Sequence, residues 1–323
     1  YLHSNNEPVP YHKNQLWVMD WDDRSSRQLQ ADFDRSFASP QWNDDDQIAV
    51  QFADRGKNVI ASVSLDDELS RRVDDVGGTY VSRPYTMGSF SASVNGAIAY
   101  TRGTAYRPAD VGFQKDGENS KSLTALNEDL LAYRELGKVN EIEFESRYDG
   151  EKIQGWYITP PNFDSTKEYP LLLEIHGGPH LSYGPHFAAE HQRYAAEGYV
   201  VLYVNHRGST SYGKEFAMLL DGNYSSPYDF ADHMSGIDAL IDKGFIDADN
   251  LFIAGGSAGG IATAYAVGMT DRFNAAAATN PVINWVSKVL TADSSMGQIH
   301  NQLPGMPWEE LEHYWERSPL SLV

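Results

Sequence analysis

An apolar run that ends in Gly-x-Ser-x-Gly and leads into a helix-compatible segment leaves a chain few folds to choose from. Here it is Leu251-Phe-Ile-Ala-Gly-Gly-Ser-Ala-Gly-Gly260, with Ile261-Ala-Thr-Ala-Tyr-Ala-Val267 behind it. The pattern predicts strand, sharp turn and helix. Gly255 and Gly259 flank Ser257 at the two positions where a Cβ would collide with the neighbouring strand or helix, because a serine raised on such a turn has a strained backbone. The helix that follows points its N-terminal N–H groups at the serine, where a developing oxyanion would be stabilised. Gly and Ser also crowd ordinary loops, so the pentapeptide counts only in its context.

Two further stretches supply that context. Tyr169-Pro-Leu-Leu-Leu-Glu-Ile-His-Gly-Gly-Pro179 reads as a buried strand ending in His-Gly-Gly-Pro, and Gly198-Tyr-Val-Val-Leu-Tyr-Val-Asn-His-Arg-Gly-Ser209 as another. Short apolar β-rich runs on either side of helical segments predict a mostly parallel sheet with helices on both faces. An α/β-hydrolase needs a glycine-rich loop after its third strand to give a second oxyanion amide, and His176-Gly177-Gly178-Pro179 is placed to be that loop. Val139–Arg147 alternates, Tyr148-Asp-Gly150 turns and Lys152–Thr159 returns, an antiparallel hairpin that opens this part of the chain. Helices are expected over 187–197 and on the face marked by Phe230, Met234, Ile237, Leu240 and Ile241, the latter with Asp229 as N-cap; 272–279 is expected as a sixth strand.

With 323 residues, two domains are expected. The first 135 or so residues alternate rather than show helical periodicity, and a strand–hairpin–strand order recurs, with matching strands centred near Val18, Ala61 and Val111. Four strands at that spacing fit a β-propeller blade, and about three blades cannot close a ring. Glu128–Leu136 reads as a short helix or connector. The division is therefore 1–137, the last blades of an all-β propeller, and 138–323, an α/β-hydrolase part. Asp44-Asp-Asp46, Asp66-Asp67 and Asp74-Asp75 lack the ligand spacing of a calcium loop and read as solvated turns.

Composition narrows the chemistry. There is no cysteine, which excludes disulfides, thiolate metal sites and a cysteine nucleophile. His180, His186 and His191 lack the spacing of a His-Glu-x-x-His zinc site, so neither a metal nor a cofactor is expected. Net charge is −20, with 24 acidic against 10 basic side chains in residues 139–323. Nucleic acid would be repelled. No run approaches the ~18 apolar residues of a membrane span. A homo-oligomer is left open, and either the periplasm or the cytoplasm of a bacterium fits.

His176-Gly-Gly-Pro179, Asn205-His-Arg-Gly-Ser-Thr-Ser-Tyr-Gly213, Gly255-Gly-Ser-Ala-Gly-Gly260 and Pro281-Val-Ile-Asn-Trp285, in that order behind propeller-like repeats, closely resemble the prolyl oligopeptidase family of serine peptidases. Its acylaminoacyl-peptidase and dipeptidyl-peptidase-like members with His-Gly-Gly-Pro are the most similar. The resemblance implies a catalytic domain facing a propeller that screens out large folded proteins, and a short peptide as substrate. It implies Ser257 as nucleophile, the Ala258 and Gly178 amides as oxyanion donors, His176 and Gly177 ordering that loop, Arg207 and its glycine retained in support, and Trp285 in an apolar pocket. His206 departs from the Pro or Tyr often found before that arginine.

The resemblance also implies a triad in the order Ser, Asp, His, with the last two on later strands. Family members continue past a segment like Ser318–Val323 into those strands, so the chain reads as a fragment without its triad Asp and His. Asp293, His300 and His313 fall in a segment inserted before them and read as surface or interface residues. Such a chain alone should be nearly inert. Two other readings stand beside the peptidase: an esterase on the same fold, and a non-catalytic binding protein should the protein truly end at Val323.

Overall fold

The alternating first part of the chain folds into antiparallel sheets, and the apolar runs behind it form one mixed sheet. The structure is a computed structural model describing residues 1–323. A three-stranded sheet holds β1 (Leu2–His3), β2 (Gln15–Met19) and β3 (Ser26–Leu29). Two four-stranded sheets follow, each pairing consecutive strands: β4 (Ala38–Trp42), β5 (Gln47–Asp54), β6 (Lys57–Ser64) and β7 (Leu69–Val73), then β8 (Phe90–Ala92), β9 (Ile98–Thr104), β10 (Arg107–Gln114) and β11 (Lys121–Ser122). Leu16, Leu29, Phe37, Val50, Phe52 and Val59 form one core here, and Ile60, Val73, Val76, Ile98 and Tyr100 another. Asp44–Asp46 and Asp66–Asp67 lie at exposed turns. Asp75 is not a solvated tip: its carboxylate accepts from Arg102 Nε at 2.6 Å and Tyr100 OH at 2.8 Å. Helix α1 covers only Glu128–Leu131, shorter than the sequence suggests, because it buries no residue that could hold further turns.

The fourth sheet has six strands: β12 (Lys138–Glu145), β13 (Lys152–Thr159), β14 (Tyr169–Ile175), β15 (Val200–Asn205), β16 (Ile246–Gly256) and β17 (Phe273–Thr279), in the order β12-β13-β15-β14-β16-β17. β12 and β13 form an antiparallel hairpin and β13 pairs antiparallel with β15, while β15, β14, β16 and β17 run parallel. The helices are α2 (Ala189–Ala196), α3 (Lys214–Met218), α4 (Pro227–Ile241), α5 (Ala258–Met269), α6 (Trp285–Thr291), α7 (Ser295–Gln302) and α8 (Leu311–Glu316), before a 3₁₀ turn at Pro319–Leu322. None is long and apolar enough to cross a membrane.

β15 shows why the sheet needs helices on both sides. Val200, Leu202 and Val204 pack with Met234, Ile237 and Leu240 of α4 and Ala262 and Ala266 of α5. Val201 and Tyr203 point the other way, into a cluster with Trp156, Tyr183 and Ala195 of α2. A strand buried on both faces must be largely apolar, and this one is hydrophobic from Val200 to Val204, with the buried Asn205 at its end. One local expectation is corrected. α4 is capped by Ser226, whose Oγ accepts from Tyr228 N at 3.2 Å, while Asp229 closes the capping box by accepting from Ser226 N at 2.8 Å; Pro227 takes the first helical position, where no N–H is needed. Residues 247–250 belong to an irregular start of β16 in which Ala248–Asn250 are exposed.

β16 lies between β14 and β17, and Ile253 at its centre is 1% exposed in the α4/α5 core. Ile253→Ala should therefore destabilise this part of the protein by about 2–5 kcal/mol, read as a lower urea midpoint. An unchanged midpoint would place that side chain outside the core.

Candidate active site

Ser257 stands between β16 and α5 with φ 55° and ψ −118°. A positive φ on a residue with a Cβ costs on the order of 1–3 kcal/mol and persists only where the surroundings enforce it. Here they do. A Cβ on Gly255 would lie 2.4 Å from Gly259 O, and one on Gly259 would lie 2.1 Å from Ile175 O, so the turn can close only on glycines. Ser257 N donates to Thr279 O at 2.9 Å and Ile261 N to Ser257 O at 3.0 Å, fixing the turn between β17 and α5. The side chain itself is exposed and makes no cap hydrogen bond.

The loop after β14 lies against this turn. A Cβ on Gly177 would be 3.2 Å from Gly256 O and 3.6 Å from Ser257 Cβ, a separation that leaves no slack between loop and elbow. Gly178 has φ 124°, a region that favours glycine, and is exposed beside the serine. Neither Gly178 N nor Ala258 N takes part in a loop or cap hydrogen bond. Ser257, Ala258, Gly178 and Trp285 line one cavity, whose apolar side is Tyr224, Ile261, Val282, Trp285 and Leu303 and whose polar side is Lys288, Gln298 and Gln302. α5, α6, α7 and α8 frame it, with Tyr314 buried beneath. His180 lines it as well, its Nδ1 donating to Gly208 O at 2.9 Å. Asp293, His300 and His313 do not line it.

His176 and Arg207 support the floor. His176 Nδ1 donates to Gly177 O at 2.7 Å, which bends the loop back on itself, and Ser209 Oγ lies 2.9 Å from Nε2. Its ring stacks on that of His206 at 4.6 Å, and His233 meets His206 edge-on at 4.9 Å. All three rings are buried. Burial, then the neighbouring His206, pushes His176 down to about 3; burial, then His176, pushes His233 down to about 3; His206 falls well below its ordinary value for the same first reason. Arg207 does not face the cavity. Its guanidinium and N–H converge on Asp232 at 2.8–3.0 Å, and the guanidinium also reaches Asp149 at 3.0 Å, tying the end of β15 to α4 and to the β12–β13 turn.

Several residues at the site have no sequence signal that links them to it. Tyr85, 92 positions upstream of Gly177, accepts from Gly177 N at 2.9 Å. Arg83 presses on Gly256, since a Cβ there would meet its Nη1 at 2.7 Å. Tyr224 donates to Ala258 O. Ile261, one turn behind Ser257 on α5, could have been found from helical spacing alone. No group of three or more His, Asp or Glu side chains could hold a metal ion. An exposed hydroxyl on a strained turn, beside two free amide donors, can attack a carbonyl once a base is hydrogen-bonded to it.

The strand, the strained serine and the helix behind it have the geometry of a nucleophile elbow. The profile of the prolyl oligopeptidase family matches residues 185–323. It is 36% identical over 215 residues to the uncharacterized peptidase YuxL of Bacillus subtilis (66% of this chain, 32% of that protein). It is 29% identical over 301 residues to dipeptidyl-peptidase 5 of Aspergillus oryzae (90% of this chain, 40% of that protein). Its fold is similar to that of the Pyrococcus horikoshii acylaminoacyl peptidase, with a TM-score of 0.84 at 24% identity, covering 96% of this chain and 47% of the other. The chain thus spans well under two thirds of each of these proteins.

Two outcomes follow from this geometry. Gly259→Ala would drive a Cβ into Ile175 O and should lower stability by several kcal/mol, on the order of 3 or more, measured as a large fall in Tm; an unchanged Tm would mean that α5 is not seated against β14. The buried histidines stay neutral in the fold but take up protons near 6.5 when unfolded, so their contribution is present above that pH and is lost as pH falls from about 6.5 toward 3. Urea midpoints between pH 7.5 and 5 should fall with a slope of more than one proton per molecule; a flat profile would contradict neutral burial.

Proposed function

We propose that residues 1–137 are blades of a β-propeller, that residues 138–323 are the front of an α/β-hydrolase domain, and that the protein is a serine peptidase acting on short peptides through an acyl-enzyme on Ser257. The observation that carries this reading is the convergence of Ser257, in its enforced positive φ, with the unpaired amides of Ala258 and Gly178 on one cavity. Such a site favours the tetrahedral oxyanion over the ground-state carbonyl, which is where the rate gain comes from. The apolar wall of Ile261, Val282, Trp285 and Leu303 suits an apolar side chain next to the scissile bond.

Ser257 Oγ has no histidine bonded to it among these residues, so we assign the general base and its acid to residues outside 1–323. The outer edge of β17 supports this: it pairs only with β16, and Asn274–Thr279 are exposed, as for a strand with sheet still to be added. The base would accept the serine proton during attack and return it to the leaving amine; water would then release the acyl group.

Names among the relatives point to removal of acylated residues or of dipeptides. The cavity has one charged lining residue, Lys288, and no carboxylate, which favours a blocked amino terminus over a free ammonium group. An esterase could use the same elbow. The test is turnover, by the intact protein, of an N-acetylated peptide p-nitroanilide, a free dipeptidyl p-nitroanilide and a p-nitrophenyl ester. The acetylated amide should be the best amide substrate, and Ser257→Ala should reduce its turnover by roughly three orders of magnitude or more. Ester turnover without amide turnover would favour the esterase, and activity surviving Ser257→Ala would overturn the mechanism.

A further inference from the structure

Residues 74–89 join β7 to β8 but do not make a tight turn between them. Instead the segment crosses to the six-stranded sheet and lies along the oxyanion loop and α2. Thr86 N donates to Ser182 O at 3.0 Å, and Gly184 N to Pro84 O at 2.9 Å. α2 has no side-chain cap, and two of its first N–H groups, those of Ala189 and Glu190, donate to Val81 O at 2.8 Å and Ser82 O at 3.2 Å. A helix end left without a side-chain cap needs such partners. Long connections of this kind in compact proteins usually carry function.

Between these anchor points, two side chains reach the site. The Tyr85 hydroxyl accepts from Gly177 N at 2.9 Å, and its ring is held by Tyr183 at 4.7 Å and Tyr80 at 5.4 Å. Arg83 Nε lies 3.1 Å from Glu190 Oε2 and 3.3 Å from the buried Glu174 Oε1, which places its guanidinium over Gly256. One side chain grips the oxyanion loop and the other the residue before the serine.

We propose that Tyr85 is a positioning residue for the oxyanion site. By occupying the Gly177 amide, its hydroxyl fixes the orientation of the peptide units on either side, and the next amide, that of Gly178, is left free at the cavity beside Ser257. Arg83 holds the other wall of the same gap. The seating of the antiparallel sheets against the mixed sheet is thereby felt directly at the oxyanion site, because the strut that joins them ends on its backbone. The inference rests on the proposed reading of Gly178 as an oxyanion donor.

Tyr85→Phe in the intact protein removes one oxygen and keeps the ring packing. Hydrogen exchange of peptides spanning 175–182 should become several-fold faster, and kcat for the acetylated p-nitroanilide should fall roughly 10-fold or more with KM within twofold, as for a small misplacement of a transition-state donor. Tyr106→Phe is the control: Tyr106 OH accepts from Val139 N at 3.1 Å, a second tyrosine bond between the same two parts but away from the site. It should change neither quantity. Should Tyr85→Phe fail to fold, Arg83→Lys, which keeps the charge but not the fork against Glu174 and Glu190, should show the same kcat loss at unchanged KM. Unchanged exchange over 175–182, faster exchange with unaltered kcat, or an equal effect from Tyr106→Phe would overturn the proposal. Faster exchange in Tyr85→Phe, together with a wild-type protein that turns over no substrate, would uphold the strut while refuting the peptidase reading.

Discussion

The contact between α5 and the end of β14 governs the site. With no side chain at Gly259, the helix approaches closely enough that a Cβ would come within 2.1 Å of Ile175 O and 2.9 Å of His176 O. That approach forces the preceding residue, Ser257, into a positive φ and lifts its hydroxyl out of the sheet. It also sets the Gly177–Gly178 loop against the elbow, since that loop continues from the same strand. The strain at one residue is stored by the packing of two elements, and the hydroxyl it exposes stands beside the unpaired amides of Ala258 and Gly178.

Beneath this surface the polar groups are arranged to be rigid rather than reactive. His176, His206 and His233 form a buried layer of neutral rings, and Arg207 satisfies two carboxylates, one of them Asp232 with no exposed surface. A buried charge left without its partner costs several kcal/mol, on the order of 3–5, so the Arg207–Asp232–Asp149 cluster ties β15, α4 and the β12–β13 turn to one another strongly. The loop that carries Gly178 is hydrogen-bonded to this layer through His176 and to the antiparallel sheets through Tyr85. Preorganised donors are effective because they need no rearrangement as charge develops.

Much of this arrangement was legible in the sequence, because its signals are local. The apolar strands at Leu171–Ile175, Val200–Asn205 and Leu251–Gly256 lie within predicted runs, and the glycines around Ser257 sit where a Cβ cannot. Short-range competition produced the local errors: Ser226 and Asp229 are both competent caps, and only the backbone shows that the serine caps while the aspartate closes the box. Long-range contacts left no trace at all. Nothing in the spacing of Tyr85 and Gly177 reveals a shared hydrogen bond across 92 positions, and the three histidines gathered under the site come from three separate elements.

The central claim, that the elbow presents Ser257 as an activated nucleophile, is tested most directly by treating the intact protein with a fluorophosphonate probe and mapping the adduct by mass spectrometry. Attack of the serine oxygen on phosphorus expels fluoride, the base takes the hydroxyl proton, and the phosphoryl oxygen comes to lie where the oxyanion would form, so the reaction needs both the base and the amide donors. One adduct per chain, on Ser257 and absent from Ser257→Ala, is the result this account predicts. No adduct, or one on a different serine, would contradict it.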